Sequence, residues 1–155
     1  MNPKFAKFAL ELQKATRMTS EEEVIRGELD LYKEIAAQVF DKMDMPSKIH
    51  QITWEFTTSI RVAGQAFYGR NKIELSIPLL YRMPFEKRKE IVIHEACHIA
   101  AFHRYGDTGH GKYWAHCMIT CGVAPERCHT THANDIRLET AKIRAATNAL
   151  NNSQE

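Results

Sequence analysis

No apolar run in this chain of 155 residues approaches the ~18–20 needed to cross a bilayer, so no membrane-spanning helix is expected. Glycine and proline are scarce, at 7 and 5 residues, which excludes a collagen-like repeat. Only 4 cysteines occur and no C-x-x-C pair, so a disulfide-stapled mini-protein is excluded too. Charge of one sign is also missing: 21 Lys+Arg stand against 19 Asp+Glu, a net +2, far from the excess of a dedicated polyanion binder. The balance does shift along the chain. Residues 1–45 carry 7 basic and 9 acidic side chains and the remainder 14 and 10, a mild lean toward anionic partners in the second part. The opening Met1-Asn2-Pro3-Lys4-Phe5-Ala6-Lys7 is too charged for a secretory signal, so a cytoplasmic protein is expected. In that reducing compartment the thiols are expected to be free or metal-bound. Apolar residues make up 44 % and charged residues 26 %, the composition of a folded globular chain. No repeat and no linker divides it, so residues 1–155 are expected to form a single domain.

The periodicities predict an α+β fold. Pro3 to Ala15 reads as a short helix with Phe5, Phe8 and Leu12 on one face. Ser20 with Glu23 makes a capping box, from which a second helix is expected to run to about Met43. Its stripe is Ile25, Leu29, Tyr32, Ala36, Val39 and Met43, and Met45-Pro46 stops it. Ile52, Trp54 and Phe56 then alternate with polar residues, as do Ile73, Leu75 and Ile77, with turn signals at Gly64 and Gly69-Arg70-Asn71. A small antiparallel sheet of about three strands is expected there. Pro84 opens a helix whose segment Ile91 to Phe102 is apolar on nearly every side except at His94, Glu95 and His98, the pattern of a central, buried helix. Gly106 ends it, a further helix runs from about Gly111 to Cys121, and residues 134–150 carry a last helical stripe. The expected organisation is a helical N-terminal part over 1–45, a core over 50–132 and a C-terminal helix over 134–150.

What the sequence has in plenty is histidine: seven of its 8 lie between residues 94 and 132. His94-Glu95-Ala96-Cys97-His98 is H-E-x-x-H, and on a helix residues i and i+4 lie one above the other, so both imidazoles reach one ion. Imidazole suits zinc, and Glu95 sits beside the first ligand, placed to take a proton from water that the metal acidifies to a pKa of ~7. The flanking Ile91, Val92, Ile93, Ile99, Ala100 and Ala101 bury this helix, where two histidines and a glutamate without partners would be costly. A catalytic zinc takes three protein ligands. His103 lies five residues past His98, about 140° round the helix, and is expected on the surface. His110 follows the Gly106 and Gly109 turns, where the chain can fold back, and is the expected third ligand.

These residues carry a resemblance. His94-Glu95-Ala96-Cys97-His98, then Gly109-His110-Gly111-Lys112-Tyr113-Trp114, then Met118 and Gly122, resembles the SprT-like family of zinc metallopeptidases, which pairs H-E-x-x-H with a later H-G-x-x-aromatic. Lys72-Ile73-Glu74-Leu75-Ser76 matches the family's I-x-L-S strand, and Arg127-Cys128-His129 is similar to the segment that follows in many members. The likeness spans roughly residues 50–132. It implies a zincin-like metallopeptidase domain, one zinc held by His94, His98 and His110, Glu95 as the catalytic acid/base, and endopeptidase activity on a protein or peptide substrate. Because the family includes a eukaryotic protease that digests proteins crosslinked to DNA, it also implies DNA as a partner. Many relatives continue into a zinc ribbon with two further cysteine pairs, and no such pair occurs in this sequence. The alternative is a zinc-stabilised module that binds DNA or protein and does little chemistry.

Weaker features complete the reading. The substrate is expected to enter as an extended peptide beside an edge strand near Ile73 to Ser76. Cys117, Cys121, Cys128, His129 and His132 offer a second set of metal donors, but the cysteines are expected to be small apolar residues packed behind the active helix. His116, His129, Tyr81 and Tyr113 are candidates to edge the cleft. Trp114 is expected as a core anchor. Asp107 either orients a ligand histidine or caps its loop. Arg82, Lys87, Arg88 and Lys89, with Arg70 and Lys72, are expected to be a solvated charged face rather than a nucleic-acid track.

Overall fold

A computed structural model describes the backbone of residues 2–126 and 130–152 and the side chains of residues 2–10, 20–126 and 141–152. The architecture is α+β, and among the described residues no helix is long and apolar enough to cross a membrane. Helices α1 (Pro3–Gly27) and α2 (Leu29–Lys42) come first, followed by a 3-10 turn at Pro46–Gln51. Strands β1 (Thr53–Thr57), β2 (Gly64–Phe67) and β3 (Lys72–Ser76) form the sheet. Helices α3 (Ile77–Tyr81), α4 (Phe85–Tyr105), α5 (Lys112–Thr120) and α6 (Thr130–Asn152) complete the chain.

The first helix starts where proline and a cap allow it: the Asn2 side chain accepts from the Lys4 N–H at 3.0 Å. It does not break at Ser20, as the capping box suggested, but at Gly27-Glu28. Glycine is a poor helix former, and Glu28 is held elsewhere. Its carboxylate accepts two bonds from Arg88 of α4, at 2.9 and 2.7 Å, and one from the Tyr32 hydroxyl at 2.5 Å. This pair is largely desolvated, so it ties α2 to α4 in one register. Burial and the Glu28 carboxylate push the Tyr32 hydroxyl well above its ordinary range. The last helix begins at Thr130, a few residues earlier than its stripe indicated, and Arg144 donates to the Thr58 carbonyl.

The sheet departs from the expected antiparallel arrangement. Its order is β1-β3-β2, with β1 parallel and β2 antiparallel to β3. Strand β3 is therefore the central strand, and Ile73 to Ser76 cannot be the edge to which a peptide adds. The connection 58–63 makes this possible: six extended residues span up to ~20 Å, enough to carry the chain past two strand spacings of ~5 Å. Ser76 fastens that crossing. Its N–H donates to the Ala63 carbonyl at 2.8 Å and its hydroxyl to the Ser59 carbonyl at 2.6 Å. The same hydroxyl caps α3 by accepting from the Leu79 N–H.

The register sorts the two faces. Trp54, Phe56, Ile73 and Leu75 share the inner face with Gly64 and Ala66 of β2. The outer face carries Glu55, Glu74 and Lys72, which pair across strands, and the Lys72 ammonium lies over the Phe67 ring at 4.4 Å. The small residues on β2 have a steric cause. A Cβ on Gly64 would come within 2.9 Å of Ile91 Cγ2 and 3.1 Å of Glu95 Cγ, so only glycine lets the strand pass this close to α4. Helix α4 is the buried centre foreseen from its composition, with Ile91 to Ala101 all buried. Gly106, at φ 69°, turns the chain out of it in the left-handed conformation that glycine favours.

Candidate metal centre

Helix α4 brings His94 and His98 together, one turn apart and both buried. The loop after Gly106 returns His110 to them. The three Nε2 atoms form a near-equilateral triangle: His94 to His110 is 3.1 Å, His98 to His94 3.2 Å and His98 to His110 3.2 Å. Three nitrogens bound tetrahedrally to one zinc at ~2.0–2.1 Å lie ~3.3–3.4 Å apart. The triangle matches that spacing to within a few tenths of an ångström, so the group can hold a metal ion with little rearrangement.

The chemistry of the donors fits as well as their spacing. The His98 ring also donates to the Gly109 carbonyl, which leaves its Nε2 as a lone pair facing the triangle. Burial, and next the neighbouring His110, lower the pKa of His98 to about 4, so at neutral pH it presents a neutral imidazole. That lone pair faces the Nε2 atoms of His94 and His110, each at 3.2 Å, an arrangement that a cation among the three would satisfy. Trp114 is the floor beneath them: its ring lies 4.9, 5.5 and 4.6 Å from those of His94, His98 and His110. It is buried, as a core anchor should be, and its indole N–H donates to the His94 carbonyl at 3.3 Å.

Asp107 settles into the capping role. Its Oδ2 accepts from the N–H groups of Tyr113 and Trp114, both at 3.1 Å, and so closes the loop that carries His110 onto the start of α5. A Cβ on Gly111 would lie 2.2 Å from Asp107 Oδ1. The glycine after His110 thus makes room for the carboxylate that holds the loop. That reason for the H-G pair was not visible in the sequence.

Glu95 is the fourth member. Its Oε1 lies 3.8 Å from His94 Nε2, and it is buried. Burial pushes its pKa up to about 8, while a backbone hydrogen bond from Ala66 pulls the other way. That bond follows from the register. Ser76 bonds to Ala63, so the alternating pairs after it leave the N–H and C=O groups of Gly64 and Ala66 facing away from β3. Among the described residues no strand pairs with this outer edge of β2.

Other expected participants lie elsewhere. His103 is exposed and contacts the Tyr68 carbonyl at 3.1 Å, off the triangle as its helical phase required. His116 is exposed, and Tyr113 stacks on Tyr105 at 4.1 Å. Tyr81 is exposed. Cys128 and His129, and the side chain of His132, lie outside the described residues. The basic cluster is paired with carboxylates: Arg82 with Glu21, Arg88 with Glu28, Lys87 with Glu90 and Lys89 with Glu86. Cys117 is buried as expected, but Cys97 joins it and Cys121, a grouping the spacing of the sequence did not suggest.

The family model of the SprT-like family matches residues 29–144. No solved structure matches the chain at a significant level.

Proposed function

Since the chain belongs to the SprT-like family and gathers three imidazoles beside a buried carboxylate, we propose that it is a zinc-dependent endopeptidase. The observation that carries this reading is Glu95, 3.8 Å from the nearest imidazole nitrogen of the triangle. A purely structural site has no use for a buried acid in that place, where it costs free energy. His94, His98 and His110 would hold the zinc through Nε2. Bound there, the ion supplies Lewis acidity, polarising the scissile carbonyl and acidifying water enough for attack at neutral pH.

The chain's own groups do the rest. The Glu95 carboxylate takes the proton of the attacking water and delivers it to the leaving amine nitrogen. The Ala66 N–H holds that carboxylate in place. The substrate backbone enters along the outer edge of β2, where the outward C=O and N–H groups of Gly64 and the C=O of Ala66 accept an extended peptide with little selection among side chains. This replaces the Ile73–Ser76 edge, which the sheet order removes.

The substrate class is protein or peptide. A DNA-linked substrate draws little support from the surface, because the basic residues leading into α4 are matched by carboxylates. Cleavage of casein is therefore expected without DNA, and added single-stranded DNA is expected to change the rate little. The deciding experiment is Glu95→Gln. The variant should keep its zinc and lose about 10²–10⁴-fold in hydrolysis. A variant that cleaves as fast as the parent overturns the mechanism. A parent that binds zinc and cleaves nothing, with or without DNA, points instead to a binding module.

A further inference from the structure

We propose that Cys97, Cys117 and Cys121 form a second metal site, a three-sulfur pocket for a soft closed-shell cation of the cuprous type. Their three Sγ atoms lie within 4.8 Å of one another. Three sulfurs around a single ion at ~2.3 Å stand ~4 Å apart, so closing the group on a metal asks for less than an ångström of movement. Cys117 comes from the last turn of α5, Cys121 caps that helix, and Cys97 joins them from α4. None of the three is in a disulfide.

Three features favour a cation over a reactive thiol or plain packing. The first is the helix end. Cys117 and Cys121 sit where α5 terminates, away from the positive dipole end that lowers a thiol's pKa. Nucleophilic cysteines are activated at the opposite, N-terminal end. The second is access. Cys97 and Cys117 are fully buried and Cys121 is half-buried, so the pocket is dry at the back and open at one donor, as metal loading requires. The third is charge. Hydrogen bonds from the Cys117 and Cys97 thiols, and after them the Lys42 ammonium, favour the Cys121 thiolate, the anionic donor that a soft cation takes.

Three described sulfurs suit such an ion. Among the described residues no fourth His, Cys, Asp or Glu joins the group. Structural zinc is almost always four-coordinate, whereas soft thiolate sets select cuprous copper. The imidazole triangle has the opposite preference, so one helix would present two pockets sorted by softness. The proposal is independent of the hydrolytic reading.

The test uses the full chain, reduced, loaded with zinc and kept free of oxygen. Cuprous copper is supplied from a chromogenic cuprous chelator in excess. The expected result is a single copper retained per chain with zinc content unchanged, a sulfur-to-copper band in the near ultraviolet, and three copper–sulfur distances by X-ray absorption. Cys121→Ala and Cys117→Ala should weaken retention by at least ~10-fold, while His110→Ala retains copper like the parent. Loss of all copper to the chelator overturns the proposal, as does copper uptake matched by zinc release. Equal retention by the cysteine variants overturns it too. Should the buried Cys117→Ala fail to fold, the absorption spectrum of the parent protein decides by itself, since nitrogen in place of sulfur around the copper is incompatible with the site.

Discussion

Helix α4 lends two imidazoles to one donor cluster and one thiol to another, and the clusters are built differently. The imidazole triangle is oriented from outside: Trp114 lies under all three rings, the Gly109 carbonyl fixes His98, and Asp107 ties down the loop that delivers His110. The sulfur group is placed by the packing of α4 against the end of α5, with no orienting loop among the described residues and with the thiols hydrogen-bonded to one another. The contrast shows where positional accuracy resides. A site needing aimed ring nitrogens recruits hydrogen bonds from the loop beside it, while polarizable sulfur tolerates looser placement.

The contrast can be broken in order of effect. His110→Ala removes one corner of the triangle, and zinc measured by metal analysis should fall from about one per chain to near none while the sulfur group is untouched. Retention of zinc by that variant, or its loss with His103→Ala instead, removes the triangle from the argument. Next comes the loop. Asp107→Ala leaves the Tyr113 and Trp114 N–H groups without their cap, which should cost about 0.5–2 kcal/mol in denaturant unfolding and weaken zinc binding in the same variant. An unchanged unfolding midpoint would show that the loop holds itself.

A smaller effect is expected from pH in the metal-free protein. Between the ordinary carboxyl value of 4.5 and about 8, folded Glu95 keeps a proton that the unfolded chain has lost, so rising pH destabilises the fold. His98 acts oppositely between about 4 and 6.5, where the unfolded ring is protonated and the folded one is not. Below 6.5 Glu95 is opposed by His98 and by the likewise lowered His103; above it Glu95 is opposed by Cys121, whose thiol is held low first by hydrogen bonds from Cys117 and Cys97. With Cys121 removed as Cys121→Ala, melting temperature with a chelator present should therefore drop from about pH 6.5 to 8. With zinc bound, the cation favours the carboxylate and the drop should disappear. The smallest effect belongs to Cys121→Ala, half-buried at a helix end, which should change stability by less than about 1 kcal/mol and leave zinc content unchanged.

Much of this molecule is readable from local pattern. H-E-x-x-H announces two imidazoles on one face because helical phase alone joins residues 94 and 98, and the same phase sends His103 away. Gly106 announces its turn because few other residues adopt that conformation without strain. Reading failed where the cause is distant in sequence. The helix break falls at Glu28 because of an arginine in α4. The strand order depends on a crossing fastened at Ser76, and alternation of apolar residues is the same for a parallel and an antiparallel partner. The edge beside the site therefore had to be seen rather than inferred. Cys97 was hidden for the same reason, since its neighbours come from another helix.

The strand order carries a kinetic consequence. Strands β2 and β3 are joined by the short connection 68–71 and close a small loop, whereas the parallel partners Thr53 and Lys72 must find each other across the whole of that hairpin. Strand β1 is thus expected to dock last, after the barrier has been crossed. Substitutions on its outer face, such as Glu55→Ala, should quicken unfolding and leave the refolding rate almost as it was.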